Sequence, residues 1–209
     1  TLGQKVHVSE PVEFIGYEQL QKEAEVIAVF NGEGDRVPKL SIGDSGIVVI
    51  DKTPFYAESG GQVGDVGRIF GPDFEFQVTD TQISAAQHLH IGSVARGEIE
   101  PGQSGFAEVA SAERGQTCAN HSATHLLHAA LRSVLGVHVQ QKGSLVNPEK
   151  LRFDFSHESG VSREQMAQIE DQICAQIRDN TAVETKLMPY KEAVASGAMA
   201  LFGEKYADE

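Results

Sequence analysis

The chain has 209 residues, 40% of them hydrophobic, with 21 Gly and 7 Pro, which is enough for one large domain or two small ones. It has no run of 18 apolar residues and begins with neither Met nor the charged start of a signal peptide, so we interpret it as a piece of a longer soluble protein. Two cysteines are too few for a disulfide framework, which favours a reducing cytoplasm.

The formal net charge of −13 argues against a protein that binds nucleic acid over its whole surface. Residues 1–110 hold 7 Lys and Arg against 17 Asp and Glu, whereas residues 111–209 hold 10 against 13. The two parts therefore carry −10 and −3. We expect a polyanionic partner to meet the second part.

The first half of the chain has the pattern of an antiparallel β-barrel. Short runs rich in Val, Ile and Phe, separated by Gly, Asp, Asn and Pro, predict strands. Regular short strands with glycine-rich turns favour a small barrel. His88 and His90 fall on the polar positions of one strand, so we expect both on the surface. The predicted strands are residues 25–30, 46–51, 74–79, 88–94 and 105–109.

Residues 53–67 contain too many glycines for a plain strand. Such a segment lets backbone amides approach a ligand closely, which suits a sugar-phosphate or a nucleotide end. It lacks the Gly-Lys-Ser/Thr of a Walker loop and the spacing of a dinucleotide-binding loop. Taken alone, the glycines are better explained by a tight hairpin with a bulge.

The second half alternates helices with strands. A helix is predicted from an N-cap at Asn120 to Gly136, and a second from Ser162, with Gln165 in a capping box, to about Asn180. The pattern predicts an α+β sandwich with helices on one face of a sheet. The predicted strands are residues 137–141, 151–155 and 183–188, and a short helix covers residues 191–195.

The first of these helices carries three histidines on one face, His121, His125 and His128, opposite its leucines. The i, i+4 spacing of His121 and His125 is typical of metal ligands on a helix. Ser122 stands where a metalloprotease of the His-Glu-x-x-His type needs Glu, so we exclude that class. Cys118 is a third candidate ligand, and a histidine face exposed to water is the alternative to a metal site.

Five strings of the sequence, in order along nearly the whole chain, resemble the editing region of bacterial alanyl-tRNA synthetases. The resemblance implies a β-barrel over residues 1–110 and an editing core over residues 111–209. That core is an α/β sandwich similar to that of threonyl-tRNA synthetases and free-standing alanyl-tRNA editing proteins. The strings are residues 53–67, 120–127, 141–146, 151–157 and 197–206.

The resemblance also implies site residues. His121 and His125 match two zinc ligands, and the other two belong to a Cys-Gly-Gly-Thr-His segment that follows residue 209 in the family. We therefore expect zinc to be absent or weakly held in this chain. Gln141 matches a position close to the substrate. The turn formed by Gly60, Gly61 and Gln62 is expected to approach the acceptor end of tRNA(Ala).

Two positions depart from the family pattern. Cys174 stands where the family has Asn, which puts a substrate contact at that position in doubt. Around residues 113–116, where a more basic sequence is expected, Arg114 is the single basic residue.

The function implied by the resemblance is zinc-dependent hydrolysis of Ser-tRNA(Ala) and Gly-tRNA(Ala). Zinc would anchor the amino group of the aminoacyl ester or polarise a water molecule, and the sequence leaves both open. The partners implied are tRNA(Ala) and the rest of a cytoplasmic, ATP-dependent ligase chain that could form a homo-oligomer, with no membrane. A free-standing editing protein and a non-catalytic tRNA-docking module are the alternatives.

Overall fold

The structure is a computed structural model that describes residue 6 and residues 8–84, 87–183 and 188–197. The chain divides into two compact units, Thr1–Ile173 and Cys174–Glu209. In the described part of the first unit, eleven strands precede the first helix. In chain order they are β1 (Glu13–Phe14), β2 (Gln21–Asn31), β3 (Arg36–Val37), β4 (Leu40–Ser41), β5 (Ser45–Ile50), β6 (Lys52–Thr53), β7 (Gly67–Phe70), β8 (Glu75–Ser84), β9 (Gln87–Arg96), β10 (Glu98–Ile99) and β11 (Ser104–Val109).

Six of these strands form a closed antiparallel barrel in the order β11-β7-β8-β9-β5-β2. The barrel closes because β2 also pairs with β11, with Ser104 opposite Glu25 and Glu108 opposite Gln21. Strand β3 pairs antiparallel with the end of β2, while β1–β6 and β4–β10 form two short additional pairs. The predicted antiparallel β-barrel is therefore confirmed.

All five predicted strands are present, as β2, β5, β8, β9 and β11. Strand β7 was not predicted, because it begins at Gly67, the last residue of the glycine-rich segment. It pairs with β8 and β11 and is needed to complete the barrel.

Two apolar clusters cover the two faces of the barrel wall. In β5, Val48 and Ile50 belong to the cluster that all six barrel strands share, and this cluster fills the interior. The alternate residues Ile47 and Val49 point to the other face, since successive side chains of a strand alternate. There they pack with Val8 from the start of the chain and with Leu89 of β9. Strands β2, β5 and β9 are thus buried on both sides.

The expectation that His90 lies on the surface was wrong. The ring is fully buried, edge-on to Phe55 at 5.1 Å between ring centroids. Nδ1 donates to the carbonyl oxygen of Val48 at 2.9 Å, and Nε2 accepts from the Thr53 hydroxyl at 2.7 Å. His90 therefore points to the opposite side of β9 from Leu89, into the barrel, where both of its hydrogen-bond partners lie. His88 is half-buried and its ring lies parallel to Phe14 at 5.2 Å between centroids.

Helix α1 (Ser111–Leu135) follows β11 after a single residue, Ala110. It begins nine residues before the predicted N-cap at Asn120, so that part of the prediction was wrong. Asn120 lies inside the helix, and its side-chain amide donates to the carbonyl oxygen of Asn147 at 2.8 Å. The predicted end is confirmed, because Gly136 terminates the helix with a positive φ of 121°.

Strands β12 (Gln141–Val146) and β13 (Leu151–Phe155) form an antiparallel hairpin, followed by α2 (Arg163–Asp179). The predicted strand at residues 137–141 was wrong, since β12 begins where that strand was expected to end. The capping box is confirmed: Gln165 N–H donates to the Ser162 hydroxyl at 3.2 Å, and Ser162 N–H to the Gln165 side chain at 2.9 Å.

A third apolar cluster joins α1, the hairpin and the first part of α2. Ala130 and Leu131 of α1 are buried with Val139 and Ile169, and Phe153 of β13 packs against them. The helix therefore buries the leucine-containing face that its periodicity predicted.

In the second unit, α3 (Tyr190–Ala195) confirms the predicted short helix. Most of the predicted strand at residues 183–188 and the string at 197–206 lie outside the described residues. The described chain is thus an α+β fold with a closed antiparallel barrel. The division at residue 110 stays a prediction. Among the described helices, none is long and apolar enough to span a membrane.

Candidate functional site

His121 and His125 lie one turn apart on α1, as their spacing predicted. Their ring centroids are 5.1 Å apart and the ring planes differ by 20°. His121 is half-buried, whereas His125 is exposed. The helix therefore presents two adjacent imidazoles with different surroundings.

The glycine-rich segment reaches these histidines through a tight turn. Ser59 and Gln62 exchange backbone hydrogen bonds of 3.2 and 3.0 Å across Gly60 and Gly61. Both glycines have positive φ, 59° and 85°, which is typical of a type I′ hairpin turn. The tight turn in the alternative interpretation of the glycines is therefore confirmed, and the predicted contact of Gly60, Gly61 and Gln62 with tRNA stays a prediction.

This turn is fixed against the end of β12. Val146 N–H donates to the carbonyl oxygen of Gly61 at 2.7 Å, and Val63 N–H to that of Val146 at 3.0 Å. A Cβ at position 61 would lie 2.7 Å from the carbonyl oxygen of Ser144, closer than side chains approach. Gly61 is thus required both by its φ and by the close approach of β12.

Gln62 connects the turn to α1. The residue is 6% exposed, and its Oε1 lies 2.6 Å from Nδ1 of His121. An amide oxygen can only accept, so Nδ1 carries the proton and donates it. The lone pair of His121 is then on Nε2, which is the arrangement of a histidine whose second nitrogen binds a metal ion.

Burial lowers the pKa of His121 below its ordinary value, and the neighbouring His125 lowers it further. A lowered pKa keeps the imidazole neutral at pH 7, which is the form that binds metal ions. The ring orientation and the charge state of His121 therefore both fit a metal ligand.

The third histidine of the helix face differs from the other two. His128 is 4% exposed, and its ring lies 5.1 Å from that of Phe153. Its Nε2 is buried and, among the described residues, has no hydrogen-bond partner.

Cys118, the other candidate ligand, is exposed on the same helix. Within the described parts of the chain no three His, Cys, Asp or Glu side chains form a group that could hold a metal ion.

Gln141 is the first residue of β12 and pairs with Phe155, just before a bulge that ends at Gly143. No hydrogen bond joins Gln141 to His121 or His125 in the described structure. Its predicted place near a substrate stays a prediction. Gln141 does lie on the strand that Gly61 contacts, three residues before Ser144.

A buried ion pair holds the start of α1 to the barrel. The guanidinium of Arg114 contacts the carboxylate of Asp65, and the two side chains are 11% and 5% exposed. Arg114 also donates to the carbonyl oxygens of Gly16 at 2.7 Å and Pro54 at 2.9 Å. The sequence identified Arg114 as the single basic residue of its region, but nothing in it indicated Asp65 as the partner.

Residues 2–112, which include the barrel and the glycine-rich turn, match the sequence profile of the family described as tRNA synthetases class II (A). This chain belongs to the class II tRNA synthetases (A). The match ends nine residues before His121, so the histidine pair lies outside it.

Several relatives of this class II synthetase chain are named alanine–tRNA ligases. Those of Acidithiobacillus ferridurans and Saccharophagus degradans are 52% and 53% identical to it, each over 94% of this chain. That of Nitrosococcus oceani is 50% identical over 99% of this chain. The chain spans less than a quarter of the length of these relatives, 22–24%.

The similarity extends beyond the profile match, because it covers α1, the β12–β13 hairpin and α2 as well as the barrel. The histidine pair and the turn that contacts it are therefore part of a class II synthetase chain.

Proposed function

We propose that this chain is part of a cytoplasmic alanine–tRNA ligase, and that it carries a site that hydrolyses Ser-tRNA(Ala) and Gly-tRNA(Ala). The ligases of the three organisms above support the first part. The observation that carries the second part is the pair of adjacent imidazoles, with His121 held neutral and oriented by Gln62. The region after residue 110 is then the editing core, an α/β sandwich of which α1, α2 and the hairpin are parts.

A site of this kind meets a physical need of alanine selection. A pocket that accepts a methyl side chain cannot exclude glycine by size. A pocket that only fits the substrate by shape and apolar contact discriminates against the added hydroxyl of serine by a factor of only about 100. A second site that hydrolyses the wrong ester supplies the missing discrimination.

His121 and His125 fit two of the four ligands of a tetrahedral zinc site, and the remaining two come from a Cys-Gly-Gly-Thr-His segment of the longer ligase. When bound, zinc supplies a positive charge that anchors an amino group or polarises water. The residues of this chain hold the imidazoles in place. Gln62 orients His121, and the packing of α1 against the β12–β13 hairpin fixes the helix.

The RNA partner of this site is the acceptor end of tRNA(Ala). The turn at Gly60 and Gly61 supports this assignment, because Gly60 is exposed beside the histidine helix and its backbone is open to a sugar-phosphate. Gln141 contacts the aminoacyl ester. Basic side chains of the second half meet phosphates, which makes binding dependent on salt.

The proposal is tested by following the release of serine from Ser-tRNA(Ala). Two chains are compared, the 209-residue chain and the same chain extended by the Cys-Gly-Gly-Thr-His segment. We expect the extended chain to hydrolyse the ester and the shorter chain to be much slower. His121→Ala and His125→Ala in the extended chain each lower the rate by more than about 100-fold, since changes outside the ligand set alone cost about 10–100-fold.

The matched control is His138→Ala, which removes an exposed imidazole that contacts His157 instead. It should keep the rate of the extended chain. Equal hydrolysis by the two wild-type chains would contradict the need for the additional ligands. An extended chain that binds tRNA(Ala) but releases no serine would make the region a docking module instead.

A further inference from the structure

We propose that Gln62 is a positioning residue for His121: its amide oxygen holds the proton of His121 on Nδ1 and leaves Nε2 as the nitrogen that binds a divalent cation. This inference rests on the proposed function, because it assigns a role to Gln62 in the same site. It adds a role within the protein to the predicted contact of Gln62 with RNA.

The first argument is the hydrogen bond itself. The 2.6 Å between Gln62 Oε1 and His121 Nδ1 is short for a neutral N–H···O bond. A free imidazole carries its proton on either nitrogen, and the bond made by one nitrogen decides the role of the other. A carbonyl-type oxygen at Nδ1 therefore selects the form whose lone pair is on Nε2.

The second argument is that Gln62 is itself fixed. The residue is 6% exposed, and both its backbone N–H and its carbonyl oxygen are hydrogen-bonded to Ser59. The residues on either side, Gly61 and Val63, are bonded to Val146 at the end of β12. The backbone of Gln62 is thus held on both sides, and its buried side chain has little freedom to leave His121.

The third argument explains the glycines that precede Gln62. The turn needs positive φ at positions 60 and 61, and β12 leaves no space for a Cβ at position 61. These two features bring Gln62 close enough to α1 to reach a ring 59 residues later in the sequence. Gly60, Gly61 and Gln62 therefore act together: the two glycines form the turn, and the turn positions the side chain of Gln62 against His121.

The two histidines should therefore respond differently to a change at position 62. His121 is half-buried and bonded to Gln62, whereas His125 is exposed and stacks on His121. Removing the amide oxygen should release the ring of His121. His125 provides an internal reference, since Gln62 makes no hydrogen bond to it in the described structure.

The test uses nitrogen NMR of histidine-labelled protein, which distinguishes an Nδ1–H from an Nε2–H imidazole. The signal of His121 is assigned by its loss in His121→Gln. We expect the Nδ1–H form in the wild-type 209-residue chain. Gln62→Leu removes the acceptor and should give a mixture of both forms, whereas Gln62→Glu keeps an oxygen in reach and should retain Nδ1–H. Gln168→Leu makes the same exchange on the exposed face of α2 and should change nothing.

Zinc affinity is measured on the extended chain by competition with a chromophoric chelator. We expect Gln62→Leu to weaken zinc binding by about 10–100-fold, and Gln62→Glu to restore most of it. Far-UV circular dichroism identifies any variant that does not fold. The wild-type form of His121 is decisive by itself, so misfolding of Gln62→Leu leaves the proposal testable.

An Nε2–H form of His121 in the wild type, or an unchanged Nδ1–H form in folded Gln62→Leu, would overturn the role of Gln62. Unchanged zinc affinity in Gln62→Leu would also overturn it. Failure of the proposed function has a different signature. In that case the Nδ1–H form depends on Gln62 as expected, but the extended wild-type chain neither binds zinc nor releases serine.

Discussion

The buried histidine of the barrel makes stability depend on pH in a way that can be calculated. Desolvation by complete burial lowers the pKa of His90 from 6.5 to about 4, despite the hydrogen bond to Val48 and with a small contribution from His88. The folded protein therefore binds this proton less readily than the unfolded chain. Stability contributed by the neutral ring is complete above pH 6.5 and is lost as pH falls from about 6.5 to about 4.

The full difference corresponds to about 3.4 kcal/mol, at about 1.4 kcal/mol for each pH unit. About 2 kcal/mol of it is lost between pH 7.5 and pH 5. This window lies above the ordinary range of carboxylates, which destabilise the fold only at lower pH. His88 and His121 also have lowered pKa values and add to the loss in the same direction.

The contribution of His90 to this pH-dependent loss of stability is isolated by His90→Gln, whose amide can still donate to Val48 but does not titrate. Because the chain has no Trp, urea unfolding is followed by far-UV circular dichroism from pH 7.5 to pH 5. We expect the variant to be less stable at pH 7.5 and to lose about 2 kcal/mol less than the wild type over this range. Equal losses in both proteins, or an NMR titration of His90 near pH 6.5, would refute the reasoning.

Two further predictions concern the connections between the barrel and α1. Asp65→Asn leaves the buried guanidinium of Arg114 without its carboxylate and should lower the free energy of unfolding by about 3 kcal/mol. Glu108→Gln, in an exposed ion pair, should cost less than about 1 kcal/mol, and equal costs in urea unfolding would contradict this account. Gly61→Ala places a Cβ at a residue with positive φ and pushes the turn away from Ser144. We expect the free energy of unfolding to fall by about 2 kcal/mol and NMR to show a mixture of the Nδ1–H and Nε2–H forms of His121. A wild-type spectrum would show that the turn does not position Gln62.

The barrel strands could be predicted because their signal is local. Alternation of apolar and polar residues and the turn residues between the runs are visible within ten positions. Strand β7 was not predicted because its four residues begin at Gly67, inside a segment whose glycines indicated a loop. The strand predicted at residues 137–141 failed for the opposite reason. Val137 and Val139 alternate like a strand, but Val139 packs against α1 and α2 while Val137 is exposed after the helix end.

Position 90 shows where alternation misleads. The pattern assumes that one face of a strand meets water, and polar residues are assigned to that face. Strand β9 is covered on both faces, by the barrel interior on one side and by the cluster containing Val8 on the other. The polar residue at position 90 therefore points inward, where Thr53 and Val48 satisfy both ring nitrogens.

Half of the candidate site was visible in the sequence. The spacing of His121 and His125 within one helix fixes their proximity, because helical geometry relates residues four apart. The contact between Gln62 and His121 joins two elements far apart in sequence, and one sequence contains no local pattern that reports it. The helix start was misplaced at Asn120 because Asn is a preferred N-cap residue. In the structure its side-chain amide instead donates to the carbonyl oxygen of Asn147, beside the hairpin.

The closure of the barrel by β2 and β11 has a consequence for folding and synthesis. The paired residues Gln21 and Glu108 are 87 positions apart, so the ring of strands closes only after the whole intervening segment is available and ordered. Contacts of such long sequence separation slow folding, because the entropy of the loop is lost before the contact forms. On the ribosome, residues 21–25 of β2 keep an unpaired edge until β11 has emerged, and exposed edges of this kind favour association with other chains.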